Sequence, residues 1–351
     1  MARYPRRVIV GVDGSVHSAT ALTWAAADAR LRGSELVAVT VCRADTPESE
    51  PGGVSPPGGD TAEQACRDMQ AQLLRQLPAD AAPRVTSLVP RGDPAEELTR
   101  IASARDLLVA GTRGRGRLSS LLLGSVAQGC AERARCPVVI IPTGAHAVVL
   151  EGIPRRAVVA GVDSSAAARQ ALHFAAEEAA ARGVPLIPVH VVYPDYVPGP
   201  GPAVPAGAED RDLLGPIDGA RAQLDALIRS ELTAYGVTVR PVVICGQPDR
   251  ILLDWTESAA LVVVGTRGAG RIHTALLGSV STYLLQHGRC PVAVVPASAA
   301  PGRDPRVHQA RGGVFGVFAV GESIVLGFLT LAGGRRPFGA GRARLIHDPL
   351  R

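Results

Sequence analysis

Two segments of this sequence share the spacing G-x2-G-x9-G-S: Gly111, Gly114, Gly124 and Ser125, then Gly265, Gly268, Gly278 and Ser279. Glycine lets a backbone come close to phosphate oxygens and offer its N–H groups as a nest. Each Gly-Ser pair opens a stretch of helical pattern, and the free N–H groups and dipole of a helix start favour an anion. Arg113 and Arg267 lie inside the segments and add charge suited to phosphate. A turn leading into a capped helix would also explain one such segment. Two copies, each matched to an aspartate that ends an earlier apolar run (Asp13 and Asp163), favour anion binding kept twice. Duplication preserves shape as well as use, so the turn reading stays open.

Other chemistry is excluded or unsupported. All 37 basic residues are arginine, which removes any phosphate-loop lysine, Schiff-base lysine or pyridoxal-anchoring lysine. The formal net charge of +5 sits in residues 301–351, where eight arginines face Asp304, Glu322 and Asp348. The first 300 residues are therefore neutral, and aromatics make up only 3% of the chain, so no nucleic-acid partner is expected for the folded part. Cys42, Cys66, Cys130, Cys136, Cys245 and Cys290 form no CxxC pair and no zinc spacing. The N-terminal residues lack the apolar run and cleavage site of a secretory signal, and a reduced cytoplasm fits best. No Ser/His/Asp or Cys/His set recurs, so nothing recommends nucleophilic catalysis. The first strand-turn reads GVDGS and not GxGxxG, which argues against a dinucleotide oxidoreductase.

The elements that would position these residues also occur twice. Residues 6–33 align with 155–183, 111–127 with 265–281, and 135–142 with 289–296, in the same order and with an offset growing from 150 to 154. That is duplication of a whole domain. Boundaries follow at 1–143 and 154–297, with a basic, irregular extension over 298–351. Each half alternates Val/Ile runs with helical stretches, which predicts α/β domains with a buried parallel sheet. Strands are expected near 7–12, 35–42, 84–90, 106–110 and 137–141, and again near 156–162, 185–192, 238–244, 260–264 and 291–295. Helices are expected near 16–32, 61–77, 94–104 and 125–134. Asp93-Pro94, followed by Glu96 and Glu97, is a strong helix start. The Pro/Gly-rich stretches 43–60 and 194–216 read as loops, either over a cleft at the strand ends or as tolerated insertions. Ligands of open α/β sheets sit at the carboxyl ends of strands where the strand order reverses, and Asp13, Asp163 and both glycine segments map there.

GVDGS, the G-x2-G-x9-G-S segment and a closing CPVxxxP strand together resemble the universal stress protein family in its tandem form, over about residues 6–296. The resemblance implies two doubly wound domains, each a five-stranded parallel sheet in order 3-2-1-4-5 flanked by helices. It implies ATP binding, with Mg or another divalent cation on the phosphates near Asp13 and Asp163, and a regulatory role in stress response or growth arrest. Val41 and Val191 would meet adenine through their backbone. Gly111, Arg113, Gly114, Gly124, Ser125 and Val126 would line ribose and phosphates in the first half. Gly265, Arg267, Gly268, Gly278, Ser279 and Val280 would do so in the second. Closing strands pair in this family, which implies an internal pseudo-dimer of the halves and allows a homodimer. Two departures stand out: Ser164 replaces the glycine found as Gly14, and Ala127 lacks the hydroxyl that Ser281 supplies.

Plainer readings stand beside these. Asp13 and Asp163 could serve only to cap a helix. Cys136 and Cys290 read as buried packing residues, Trp24 and Phe174 as core anchors, and His273, opposite Ser119, as surface. The apolar run 314–332 carries Glu322 in its middle and reads as an irregular extension before a surface-docked helix or a membrane span. Alternatives to the regulatory module are a slow metal-dependent ATPase in the same pockets, and an interaction scaffold with vestigial ones.

Overall fold

A computed structural model describes residues 7–42, 59–77, 84–112, 123–142, 157–192, 210–267 and 277–297. The extension over 298–351, with its apolar run, and His273 and Ser119 lie outside them.

The first half contains β1 (Arg7–Gly11), α1 (Val16–Arg32), β2 (Glu35–Val39), α2 (Gly59–Leu74), β3 (Val85–Leu88), α3 (Pro94–Ile101), β4 (Leu107–Gly111), α4 (Ser125–Arg133) and β5 (Val138–Ile141). The second repeats it with β6 (Val158–Gly161), α5 (Ala166–Arg182), β7 (Leu186–Val192), α6 (Asp210–Glu231), β8 (Val242–Cys245), α7 (Pro248–Trp255), β9 (Leu261–Gly265), α8 (Ser279–His287) and β10 (Val292–Val295). Two predicted loops end early: helix begins at Gly59 and at Asp210, and α6 runs through Gly215-Pro216.

Within each half the strand order is 3-2-1-4-5, as expected. The halves then share one ten-stranded sheet, β3-β2-β1-β4-β5-β10-β9-β6-β7-β8. Its one antiparallel junction is β5 with β10, where Val292 faces Ile140, Ala293 faces Val139 and Val294 faces Val138. This pairing removes two apolar sheet edges at once.

Strands built of Val, Ile, Leu and Ala alternate their side chains between two cores. On one face Val8, Val10, Leu107 and Val109 pack under α1, with Val158, Ala160 and Leu261 under α5. On the other, Ile9, Leu108 and Ala110 meet Leu98 of α3 and Cys130 of α4, with Val159 and Val262 beside Leu252 of α7 and Leu284 of α8. Trp24 and Phe174 are both buried in the first core.

Helices α1 and α5 start and stop by the same devices. The Ser15 hydroxyl accepts from the Ser18 N–H at 3.2 Å and that of Ser165 from the Ala168 N–H at 3.0 Å. Gly33 and Gly183 end them in the left-handed region at φ 63° and 62°. The two helices meet across the seam through a buried quartet. The Arg32 guanidinium donates to Asp28 at 3.0 Å and to Glu178, and that of Arg182 donates to Asp28 at 2.8 Å and to Glu178.

Candidate nucleotide sites at the strand ends

In each half the chain leaves β1 (or β6) for a helix on one face of the sheet and leaves the adjacent β4 (or β9) for a helix on the other. A crevice therefore opens between the carboxyl ends of those two strands. Asp13 and Asp163 lie on one side of it, and the glycine segments leave from the other.

The ends of each segment are clasped identically. The Thr112 N–H donates to Ile141 O at 3.1 Å and the Gly124 N–H to Thr112 O at 2.7 Å. In the second half the Thr266 N–H donates to Val295 O at 2.9 Å and the Gly278 N–H to Thr266 O at 2.7 Å. Arg113, Gly114 and Gly268 lie outside the described residues. Arg267 is described and exposed, and its carbonyl accepts from the Ser165 hydroxyl at 3.2 Å.

The predicted glycines separate into two kinds. A Cβ on Gly111 would lie 2.8 Å from the backbone carbon and oxygen of His17, and one on Gly265 would lie 2.8 Å from the Ala167 carbonyl carbon. Those glycines are required by the close approach of strand end to helix start. Gly124 and Gly278 stand otherwise. They occupy the cap positions of α4 and α8 at φ −65°, ψ 148° and φ −72°, ψ 160°, an extended conformation open to any residue. Serine or aspartate there would cap the helix. Glycine does not, and neither helix has a side-chain cap, whereas α1, α3 and α5 are capped by Ser15, Asp93 and Ser165. The first N–H groups of α4 and α8 thus face the crevice uncapped, with Ser125 and Ser279 exposed and Val126 and Val280 half-buried beside them.

Asp13 and Asp163 do not themselves cap the helices. The Asp13 carboxylate accepts from the Ser15 N–H at 3.0 Å and the Ser15 hydroxyl at 2.6 Å, and Asp163 accepts from the Ser165 N–H at 2.9 Å. Each aspartate orients the serine that does the capping. The replacement of Gly14, at φ 82°, by Ser164 leaves this turn standing, since the aspartate bond is the same in both halves.

Val41 and Val191 are half-buried at the ends of the second strands. Thr40 N–H and Cys42 N–H donate to Leu88 O and Pro90 O on the β3 side, while Val39 O accepts from Val12 N–H on the β1 side. By strand alternation the Val41 backbone faces the β1 side, above the crevice. In the second half Val189 O accepts from Val162 N–H, and Val192 O from Gly246 N–H, which sets Val191 the same way.

Three contacts carry no signal of their own in the sequence. Cys42, next to Val41, is joined by a disulfide to Cys66 on α2; a 24-residue separation carries no motif. His190, the counterpart of Thr40, places Nδ1 2.8 Å from Val162 O beside Asp163. The Ser281 hydroxyl donates to Gly265 O at 2.7 Å, so it holds the strand end. Cys130, Cys136 and Cys290 are buried, as packing residues should be, and burial pushes the thiols of Cys130 and Cys136 up to about 12. Among the described residues no cluster of three or more His, Cys, Asp or Glu side chains is gathered for a metal, and no helix is long and apolar enough to cross a membrane.

Comparison with known proteins follows the same division. The family model described as the universal stress protein family matches twice, over residues 5–142 and 154–296. The chain belongs to the universal stress protein family. It is 34% identical over 297 residues to Universal stress protein Rv2005c of Mycobacterium tuberculosis (strain ATCC 25618 / H37Rv), covering 83% of this chain and 97% of the relative. It is 31% identical over 308 residues to Universal stress protein Rv2623 of the same strain, covering 83% and 96%. Among solved structures, a universal stress protein from Archaeoglobus fulgidus DSM 4304 aligns with TM-score 0.61 at 23% identity, over 83% of this chain and 98% of that one. That likeness bears on the fold, and the tandem α/β architecture agrees with it.

Proposed function

We propose that each half, taken as the domains 1–143 and 154–297, holds an adenine nucleotide, ATP, in its crevice, and that occupancy regulates a stress-response or growth-arrest function. The observation that carries this is the pair of glycine-capped helix starts. At matched places in both halves the cap side chain is forgone although the backbone would accept one, which leaves donors and a helix dipole for phosphate. Gly111 to Val126 and Gly265 to Val280 would border ribose and phosphates, Arg113 and Arg267 would add charge, and the Val41 and Val191 backbones would meet the base. The carboxylates of Asp13 and Asp163 would hold a divalent cation on the phosphates, and such a cation would neutralise phosphate charge. The nucleotide is read as a ligand and not as a substrate: the aspartates of the described crevice each accept from a serine N–H and are engaged in shaping the turn. The setting is taken as cytoplasmic. A homodimer and a protein that reads the occupied state complete the scheme.

The test is calorimetric titration of ATP with Mg²⁺ into nucleotide-stripped protein, with Ser125→Glu and Ser279→Glu beside it. A carboxylate at the first helical position complements the dipole by about 0.3–1 kcal/mol and repels phosphate. Each variant should keep its stability and lose one equivalent of binding, and the double variant should bind none. No heat with the unmodified protein, and no nucleotide released on denaturing it, would leave the crevices as inherited shape.

A further inference from the structure

The one described disulfide lies beside one crevice and has no counterpart at the other. Cys42 follows Val41 directly and is almost fully buried, while Cys66, on the second turn of α2, is half-buried. The Cys42 backbone is locked to the turn before α3: its N–H donates to Pro90 O at 2.9 Å and its carbonyl accepts from Gly92 N–H at 3.0 Å. The sulfur bond thus ties three things together: α2, the end of β2 and the 90–92 turn. In the second half the residue matching Cys42 is Val192, and α6 contains no cysteine.

We propose that Cys42 and Cys66 form a reversible thiol–disulfide site through which a small-molecule thiol and its disulfide set the affinity of the first crevice alone. The effect on affinity rests on the nucleotide reading above; the redox site itself does not. The chemistry balances within that couple. A thiolate of the small molecule attacks Cys66 Sγ, the more exposed sulfur, and the Cys66–Cys42 bond breaks with Cys42 leaving as thiolate. A second small-molecule thiolate attacks the mixed disulfide, releases Cys66, and departs as the small-molecule disulfide. Two electrons pass to the protein, and the reverse steps return them.

The reduced and oxidised forms differ in what holds α2 near the strand end. Without the sulfur bond, α2 keeps the Gln70 amide, donating to Ala38 O at 3.0 Å and Leu88 O at 3.3 Å, and Glu63, paired to Arg67 and, at 3.1 Å, to Arg91. Those contacts lie along β2 and β3 and at the 90–92 turn; Cys42 itself reaches α2 only by its sulfur, 3.8 Å from Ala62 O, a weak bond for a thiol. Reduction therefore loosens the position next to the Val41 backbone while leaving the helix docked. The other described cysteines do not compete: Cys130, Cys136 and Cys290 are buried, and Cys245 is on the far edge strand β8.

The experiment equilibrates the full-length protein in graded ratios of reduced to oxidised glutathione, quenches by alkylation, and maps the labelled cysteines by mass spectrometry. Cys42 and Cys66 should change together as one two-electron step. ATP titration of the Ser279→Glu protein, which retains only the first crevice, should then differ by about fivefold or more between the two forms, the low end of ordinary coupling between sites. The Ser125→Glu protein should show no difference. Cys66→Ser and Cys42→Val, the latter copying the second half, should each abolish the redox response, and because they lie on different elements one serves if the other fails to fold. Independent labelling of the two cysteines, or pairing that never responds to glutathione, overturns the site. Equal ATP affinity in both forms overturns the coupling. A pair that titrates in a protein that binds no ATP in either form supports the redox site and removes the nucleotide reading instead.

Discussion

The two halves of this chain agree in the glycines and caps that shape the crevice and differ in the bonds that brace it. Gly111 and Gly265, Gly124 and Gly278, and the aspartates with their serines are superimposable in role. Around them the partners diverge. Cys42 with Cys66 ties down the first half where Val192 stands in the second, His190 replaces Thr40, and Ser281 bonds the strand end where Ala127 makes no such bond. The lower end of the sheet diverges too. Arg7 grips Asp106 in the first half, while the second joins the same two places by Ala260 N–H donating to Ala157 O at 2.9 Å. Duplication has thus kept backbone geometry at the crevice and let the bracing around it drift. Four sets of substitutions probe that division.

The largest effect belongs to the seam, where the halves contribute equally. Each guanidinium of Arg32 and Arg182 bridges Asp28 and Glu178, and both carboxylates are buried. Burial pushes the Glu178 carboxyl up even with two arginines beside it. Arg32→Met removes one cation and strands a buried carboxylate, so it should cost about 3–5 kcal/mol in urea unfolding. Replacing all four with apolar residues of similar volume should be close to neutral, since the ions are costly to desolvate. If Arg32→Met alone is neutral, the quartet is solvated and the halves are held by β5 and β10 without it.

Next come the close-approach glycines. Gly111→Ala and Gly265→Ala each push a Cβ to 2.8 Å from helix backbone, and a rigid neighbour of that kind cannot give way. Overpacking of this sort should destabilise each half by about 3 kcal/mol. Equal losses in the two halves would confirm that these glycines are kept for packing. A variant of normal stability that loses ATP affinity would move them back to the ligand side.

Smaller, and confined to one half, is the Arg7–Asp106 pair. The Asp106 carboxylate accepts from Arg7 Nη2 at 2.6 Å and from the Ser103 N–H and hydroxyl at 2.8 and 2.7 Å. Burial pushes its pKa up, but the bonds from Arg7 and Ser103, with the Arg7 charge, outweigh that and hold it below the ordinary 3.8. A lowered folded-state pKa means stability that is complete above the unfolded value and lost as pH falls through the folded one. Asp106→Asn should therefore cost about 2 kcal/mol at neutral pH, in the range of hydrogen bonds to charged groups. The gap to the unmodified protein should close as pH drops below that ordinary value. Ala260→Asp in the second half should bring no such pH dependence, because Ala157 offers no cation. A gap that persists under acid would show that the amide fails for shape and not for charge.

Much of this arrangement was readable from the chain, for identifiable reasons. Apolar runs on both faces of a strand, the Asp93-Pro94 helix start and a repeat at nearly fixed offset are local signals that gave the elements and the two domains, and the strand order came from the family resemblance. The helix starts at Gly59 and Asp210 were missed because Gly and Pro nearby argued for loop. Within the G-x2-G-x9-G-S segment the glycines look alike in sequence. Only the distance from Gly111 to His17, against the open cap at Gly124, tells a packing glycine from one that leaves donors free. The Cys42–Cys66 bond and the His190 contact depend on elements far apart in the chain, and no periodicity reports them.

The finest distinction between the halves rests on one hydroxyl. Ser281, on the first turn of α8 and buried, donates to Gly265 O, the last residue of β9, at 2.7 Å. Its counterpart Ala127 is buried as well, so the first half manages without that bond. Ser281→Ala should cost about 1 kcal/mol, the usual net worth of one neutral hydrogen bond. Ala127→Ser should be close to neutral, since a new bond to the Gly111 carbonyl would offset the burial of a hydroxyl. Nucleotide titration decides what the bond is for. Because Ser281 bonds the strand carbonyl, its loss should act on the stability of the second half and leave the affinity of its crevice nearly unchanged. An affinity loss without a stability loss would instead make the hydroxyl a ligand contact, and the first crevice, which has alanine there, would then be the weaker of the two.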